Sequence, residues 1–206
     1  MKAIAALLVP VLASTVVRVN SCSLAPPPVT PGPEPITFAD GFEAGAGNWQ
    51  PAADVPADPN NPGQAVAWNI AASPARAFRG QYSALFSLDG RQDDGTIWLE
   101  RRFNLDPSTD YTVEITLVLW SESESFNTLA RVVSYAGGAK AQREADFNVA
   151  EQPAANLSAG WRSYDFRYDT SSSTGGYLWV AFGISAVWET QLSYFIDEVQ
   201  VRITPR

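Results

Sequence analysis

Beyond residue 36, apolar and polar residues alternate with a period of two along most of the chain. That is the pattern of strands that turn one face toward a core. Asp110-Tyr111 opens the most regular run, with Tyr111, Val113, Ile115, Leu117 and Leu119 on one face. Thr112, Glu114, Thr116, Val118 and Trp120 take the other face. The same reading puts Tyr82, Ala84, Phe86 and Leu88 inward, then Tyr164, Phe166 and Tyr168, then Leu178, Val180, Phe182 and Ile184. Tyr177 and Trp179 are left outward. Shorter segments lie at Ile36–Phe38, Gln64–Ile70, Thr96–Phe103, Leu129–Tyr135 and Asp146–Val149. Gly, Pro, Asn and Asp clusters separate them, and neither a long helical period nor an internal repeat is present. About eight to ten short strands at this spacing predict an all-β sandwich of jelly-roll type.

The last run, Tyr194 to Ile203, raises a chemical question. Unbroken alternation sets Phe195, Asp197, Val199, Val201 and Ile203 on one face, so a carboxylate points toward a core. An ionised carboxylate there needs an arginine, a set of backbone N–H groups or a metal, because unpaired burial costs several kcal/mol.

The first 35 residues break the alternation. Met1-Lys2 precedes an apolar run from Ala3 to Val17 that is too short and too interrupted by proline to be a good membrane span. Residues 1–21 read as a signal peptide. Val19-Asn20-Ser21-Cys22 resembles the end of a bacterial lipoprotein signal, in which Cys22 receives the lipid; Asn20 and Arg18 depart from that pattern. An ordinary secretory signal is the alternative, and both lead out of the cytoplasm. Cys22 is the single cysteine, so no intramolecular disulfide forms. Residues 22–35 are a Pro-rich linker, SLAPPPVTPGPEP after the cysteine, suited to an extended tether. Residues 36–206 are the folded domain.

Composition narrows the chemistry. The formal net charge is -8, and cleavage after residue 21 would remove Lys2 and Arg18 but no acid. No basic patch is evident, so a nucleic-acid partner is disfavoured. The chain has no His, which excludes serine–histidine and cysteine–histidine catalysis and the commonest zinc ligand.

Two motifs carry a family resemblance. Gly41-Phe42-Glu43-Ala44-Gly45-Ala46-Gly47-Asn48-Trp49 resembles the opening of bacterial carbohydrate-binding modules with the galactose-binding-like jelly roll. Tyr194-Phe195-Ile196-Asp197-Glu198-Val199-Gln200-Val201 resembles their closing strand. Arg79-Gly80-Gln81-Tyr82-Ser83 and Leu105 to Thr112 are milder matches between them. The resemblance implies a structural calcium (Ca2+) joining the first strand region to the last, with Glu43 and Asp197 as ligands. Calcium takes six to eight oxygens, so carbonyls and water would complete the set, and Thr37, Asp40 and Gly41 are nearby sources.

It also implies non-catalytic binding of a polysaccharide or glycan. Sugar faces stack on indole or phenol rings, and polar groups meet the hydroxyls. Trp120 and Trp179 are the candidate platforms, with Tyr177 beside Trp179; Glu114, Arg131 and Gln191 are candidate polar contacts. Exposure of both Trp residues in one groove would mark a sugar site, whereas burial would favour packing. Trp49, Trp68 and Trp161 are assigned to packing; Trp98 and Trp188 are not assigned. An envelope structural or adhesion lipoprotein without a sugar site is the alternative. A polysaccharide-cleaving enzyme would need two flanking carboxylates, for which Glu100 and Glu114 are the pair if their strands are neighbours. Glu122 and Glu124 read as a solvated loop, and Asp89, Asp93 and Asp94 as a hairpin turn rather than a second calcium site. The expected location is extracytoplasmic, with the membrane reached only through the lipid.

Overall fold

The computed structural model describes residues 34–89, 94–122, 130–153, 159–186 and 193–206. Cys22, Trp188, Gln191, Asp93 and Glu124 lie outside these residues. The strands are β1 (Ile36–Asp40), β2 (Gln50–Asp54), β3 (Trp68–Ser73), β4 (Ser83–Leu88), β5 (Thr96–Asn104) and β6 (Asp110–Ser121). They continue with β7 (Ala130–Gly137), β8 (Asn148–Pro153), β9 (Gly160–Ser171), β10 (Tyr177–Ala186) and β11 (Ser193–Pro205). One short 3-10 turn, Glu144–Asp146, precedes β8.

The strands form two sheets with antiparallel ladders. One runs β3-β4-β11-β6-β9, with β1 also paired to β11; the other runs β2-β5-β10-β7-β8. This is a jelly-roll β-sandwich. The alternation explains the core. Val113, Ile115, Leu117 and Leu119 from the first sheet meet Ile97, Leu99, Leu178, Val180, Phe182 and Ile184 from the second, all buried. Trp49 packs edge-on against Phe182 with ring centres 4.7 Å apart, as its assignment to packing expected. Tyr82 departs from the inward pattern and is exposed, because β4 begins one residue after it.

β11 shows why strict alternation fails at its centre. β4 pairs with Ser193–Ile196 of β11, whereas β1 pairs with Val199–Ile203. Between these partners the register against β6 shifts, and Glu198 adopts a left-handed φ of 49°. This β-bulge reverses the facing of the strand on either side. Tyr194 and Ile196 are therefore in the core with Val199, Val201 and Ile203. Phe195 and Asp197 are on the outward face, contrary to the parity reading. Asp197 is nevertheless fully buried, beneath the loop before β4.

Tyr168 on β9 shares a 2.6 Å hydrogen bond with the Ser134 hydroxyl on β7, bridging the two sheets. Burial pushes its phenol up to about 12, against the lowering effect of hydrogen bonds with Ser134 and Asn148. The folded state thus holds this proton more tightly than the unfolded chain. The resulting stability is complete below pH 10 and is lost as pH rises from 10 through about 12. Ultraviolet difference titration of wild type against Tyr168→Phe checks this. The variant should lack a phenol that ionises near pH 12.

Candidate functional site

The outward face of the β2-β5-β10-β7-β8 sheet holds most of the chemistry. Its two middle strands, β5 and β10, pair Trp179 with Arg102 and Ala181 with Glu100. A segment from Lys140 to Phe147 crosses part of this face. Ala141 and Phe147 are buried there against Trp98, Val133 and Ala181. Trp98 and Phe147 lie 4.9 Å apart, centre to centre. This second apolar cluster lies outside the sandwich core, and strand parity alone does not reveal it.

Polar contacts pin the crossing segment at both ends. At one end Lys140 forms an ion pair with Glu100, which is 1% exposed. Trp98 Nε1 donates to the other Glu100 oxygen at 3.2 Å. At the other end the Ser185 hydroxyl donates to Glu144 at 2.8 Å, and the Glu144 N–H donates to Asp54 at 2.9 Å. Glu100 is thus neutralised and structurally engaged.

Beside this segment the face opens into a depression of about 440 Å³ lined by Asn48, Gln50, Arg101, Arg102 and Trp179. Trp179 is half-buried, and the Lys140 ammonium lies 5.6 Å from its ring centre. Arg102 is exposed, and its guanidinium lies 5.5 Å from the Tyr177 ring. Arg101 stacks its guanidinium 3.7 Å from Phe38, and its Nη1 is buried without a hydrogen-bond partner. Burial lowers the Arg101 guanidinium from its ordinary range, and Asp40 acts in the opposite direction.

The predicted site residues divide between the two sheets. Trp179, Tyr177 and Arg131 lie on the outward face just described, with Arg131 exposed opposite Ser185. Trp120 and Glu114 belong to β6 on the other sheet, so the two Trp residues do not share a groove. Trp120 is buried beneath the Arg76 guanidinium, 3.6 Å from its ring centre, and packs edge-on against Phe195. Its surroundings correspond to packing. Glu114 pairs with Arg167 at 2.7 Å on the rim of a depression of about 630 Å³. No tryptophan lines that depression, and its Phe166 packs against the core. Glu100 and Glu114 also stand on opposite sheets, so they do not form the flanking acid pair considered for bond cleavage. Sequence reasoning missed Arg101, Arg102, Asn48 and Gln50. The two adjacent arginines beside outward Trp179 required the β5–β10 register to be seen.

Glu43 and Asp197 make a second constellation, at the point where β11 exchanges β4 for β1. Asp197 Oδ2 accepts the Phe78 N–H at 2.8 Å and the Arg79 N–H at 3.1 Å, while Oδ1 accepts the Glu198 N–H at 2.8 Å. Glu43 Oε1 accepts the Gln81 and Tyr82 N–H groups, both at 2.9 Å. Gly80, with φ of 72°, lies so close to the Glu43 carboxylate that a Cβ would collide with it. The two carboxylates clasp one loop. N–H donors occupy oxygens that a calcium ion would need, and among the described residues no group of three or more His, Cys, Asp or Glu is placed to hold a metal. This donor arrangement does not fit a calcium cage.

No family model matches the sequence, and no curated protein matches it. Solved structures do share the fold. Two cleaved adhesin domains of Lys-gingipain from Porphyromonas gingivalis superpose with TM-scores of 0.52 and 0.51, at 12% and 14% identity. The match covers 82% and 83% of this chain and 99% of each domain. A xylan-binding domain of Xyn10C from Paenibacillus barcinonensis gives 0.50 at 13% identity, covering 81% of this chain and 99% of that one. At these identities the likeness establishes a shared jelly-roll architecture.

Proposed function

We propose that the chain is a non-catalytic carbohydrate-binding module that works outside the cytoplasm and contacts a polysaccharide or glycan through Trp179. The observation that carries this reading is the half-buried indole at the edge of an open depression, ringed by guanidinium and amide groups. An aromatic plane with a polar rim suits a sugar's apolar face and its hydroxyls. The xylan-binding domain of similar fold supports this reading by analogy. The signal-like N-terminus and the candidate lipidation site at Cys22 agree with display on the cell envelope. The calcium ion that the family resemblance implies at Glu43 and Asp197 is no part of this proposal, because N–H groups already meet those carboxylates.

A glycan-array screen and polysaccharide pull-down with wild type and Trp179→Ala test the proposal. Losing one stacking platform should weaken binding at least about tenfold while leaving the melting temperature within a few degrees. Trp120→Ala should lower stability without defining the binding face. Retained binding by Trp179→Ala would remove the site from this face.

The second reading is an adhesion module, favoured by the two adhesin domains of similar fold. Phe78 also supports it, since it is 49% exposed while packing edge-on against Trp161 at 5.5 Å on the opposite sheet. A protein surface rather than a sugar would then be the partner.

A further inference from the structure

We infer that the Trp179 depression accepts an acidic sugar, a uronate whose carboxylate is bound by Arg102. This rests on the carbohydrate-binding reading and specifies the class of sugar. Lys140 lies 5.6 Å from the Trp179 ring centre and Arg102 is the ladder neighbour of Trp179 on the same face, while Arg101 lines the depression with its guanidinium turned to Phe38. Two acids are near them. Glu100 is buried and paired with Lys140, and Asp40 acts on Arg101 from the sandwich edge while accepting the Phe42 N–H at 2.9 Å. Among the described residues, Arg102 has no carboxylate partner and meets only the Tyr177 ring. Arg101 keeps a buried Nη1 without an acceptor.

A solvent-facing guanidinium beside an indole provides two functions at once. The indole stacks on the pyranose face, and the planar fork takes a carboxylate in bidentate fashion. Asn48 and Gln50 on the same rim suit neutral hydroxyls. The whole chain carries a net charge of -8 and would repel a polyanion. Any attraction must therefore be local to this site. A sulfate ester presents related oxygen geometry, so the test needs both chemistries.

Isothermal titration of the full chain would use polygalacturonate, the same polymer with its carboxyls reduced to alcohols, dextran sulfate and neutral xylan. Polygalacturonate should bind at least about tenfold more tightly than its reduced form. Arg102→Gln should erase that difference, whereas Arg143→Gln, which removes an equal charge from the crossing segment, should preserve it. Trp179→Ala should lose both polymers. Equal affinity for acidic and reduced polymer would overturn the uronate inference, as would equal loss in Arg102→Gln and Arg143→Gln. Binding of dextran sulfate but not polygalacturonate would overturn it in favour of a sulfate ester. Xylan binding lost in Trp179→Ala but unchanged in Arg102→Gln would leave the carbohydrate-binding reading standing without the uronate. Binding to none of the four would overturn both.

Discussion

Asp197→Ala should destabilise the domain by about 3–5 kcal/mol, lowering the melting temperature by roughly 10 °C for a chain of this size. The carboxylate is fully buried and accepts N–H bonds from Phe78, Arg79 and Glu198. Alanine would leave these donors without their acceptor at the seam where β11 passes from β4 to β1. A bond to a charged acceptor is worth about 1.5–3 kcal/mol, so losing several outweighs the relief of no longer burying a charge. Asp197→Asn keeps one carbonyl oxygen and should cost less, about 1–2 kcal/mol, because its amide nitrogen opposes an N–H donor. Thermal melting of both variants gives the ranking. Equal, small losses would mean that the loop is held by other contacts, such as the 3.1 Å Arg79–Glu198 ion pair. Melting wild type with and without a chelator is the companion measurement. No shift is expected, because N–H donors already occupy the relevant oxygens. A clear drop would show that a cation also stabilises the clasp.

Gly183→Ala should be at least as damaging, costing roughly 3 kcal/mol or more. Gly183 faces Trp98 across the central β5–β10 ladder. A Cβ there would collide with the Ile97 carbonyl and come within 2.7 Å of the Trp98 Cα. These are backbone atoms, so no side-chain rotation relieves the clash. Both strands would have to part, loosening the floor beneath Trp98, Phe147 and the segment from Lys140 to Phe147. Expression yield and melting temperature provide the check, with Ala181→Gly on the same strand face as the contrast. Ala181→Gly removes only one buried methyl and should cost about 1 kcal/mol beyond the strand penalty for glycine. A Gly183→Ala protein that melts like wild type would show that β5 and β10 can separate locally at little cost.

Much of the architecture was legible in the chain. The alternation in β6, β9 and β10 assigned the core faces correctly because none of these strands carries the extra residue of a bulge in its ladders with β5, β7, β9 and β11. β11 was misread at its centre because a bulge inserts one residue without interrupting the apolar composition. Phe195 and Ile196 are equally hydrophobic, and only pairing shows which one enters the core. Outward placement of Trp120 and Trp179 was also readable. That they lie on opposite sheets was not, because strand order depends on contacts distant in sequence.

By itself, then, the sequence determined a set of short strands with defined apolar faces, an apolar start, a proline-rich stretch and two terminal motifs bearing Glu43 and Asp197. Period-two patterning, chain stiffness and residue chemistry are local properties, so each can be read in place. Only the tertiary structure decided that main-chain N–H groups receive those two carboxylates, that Arg76 covers Trp120, and that Trp179 opens beside Arg101 and Arg102. Each of these results depends on segments far apart in sequence meeting at a particular register. A buried group's partner is set by that meeting rather than by its own neighbours in the chain.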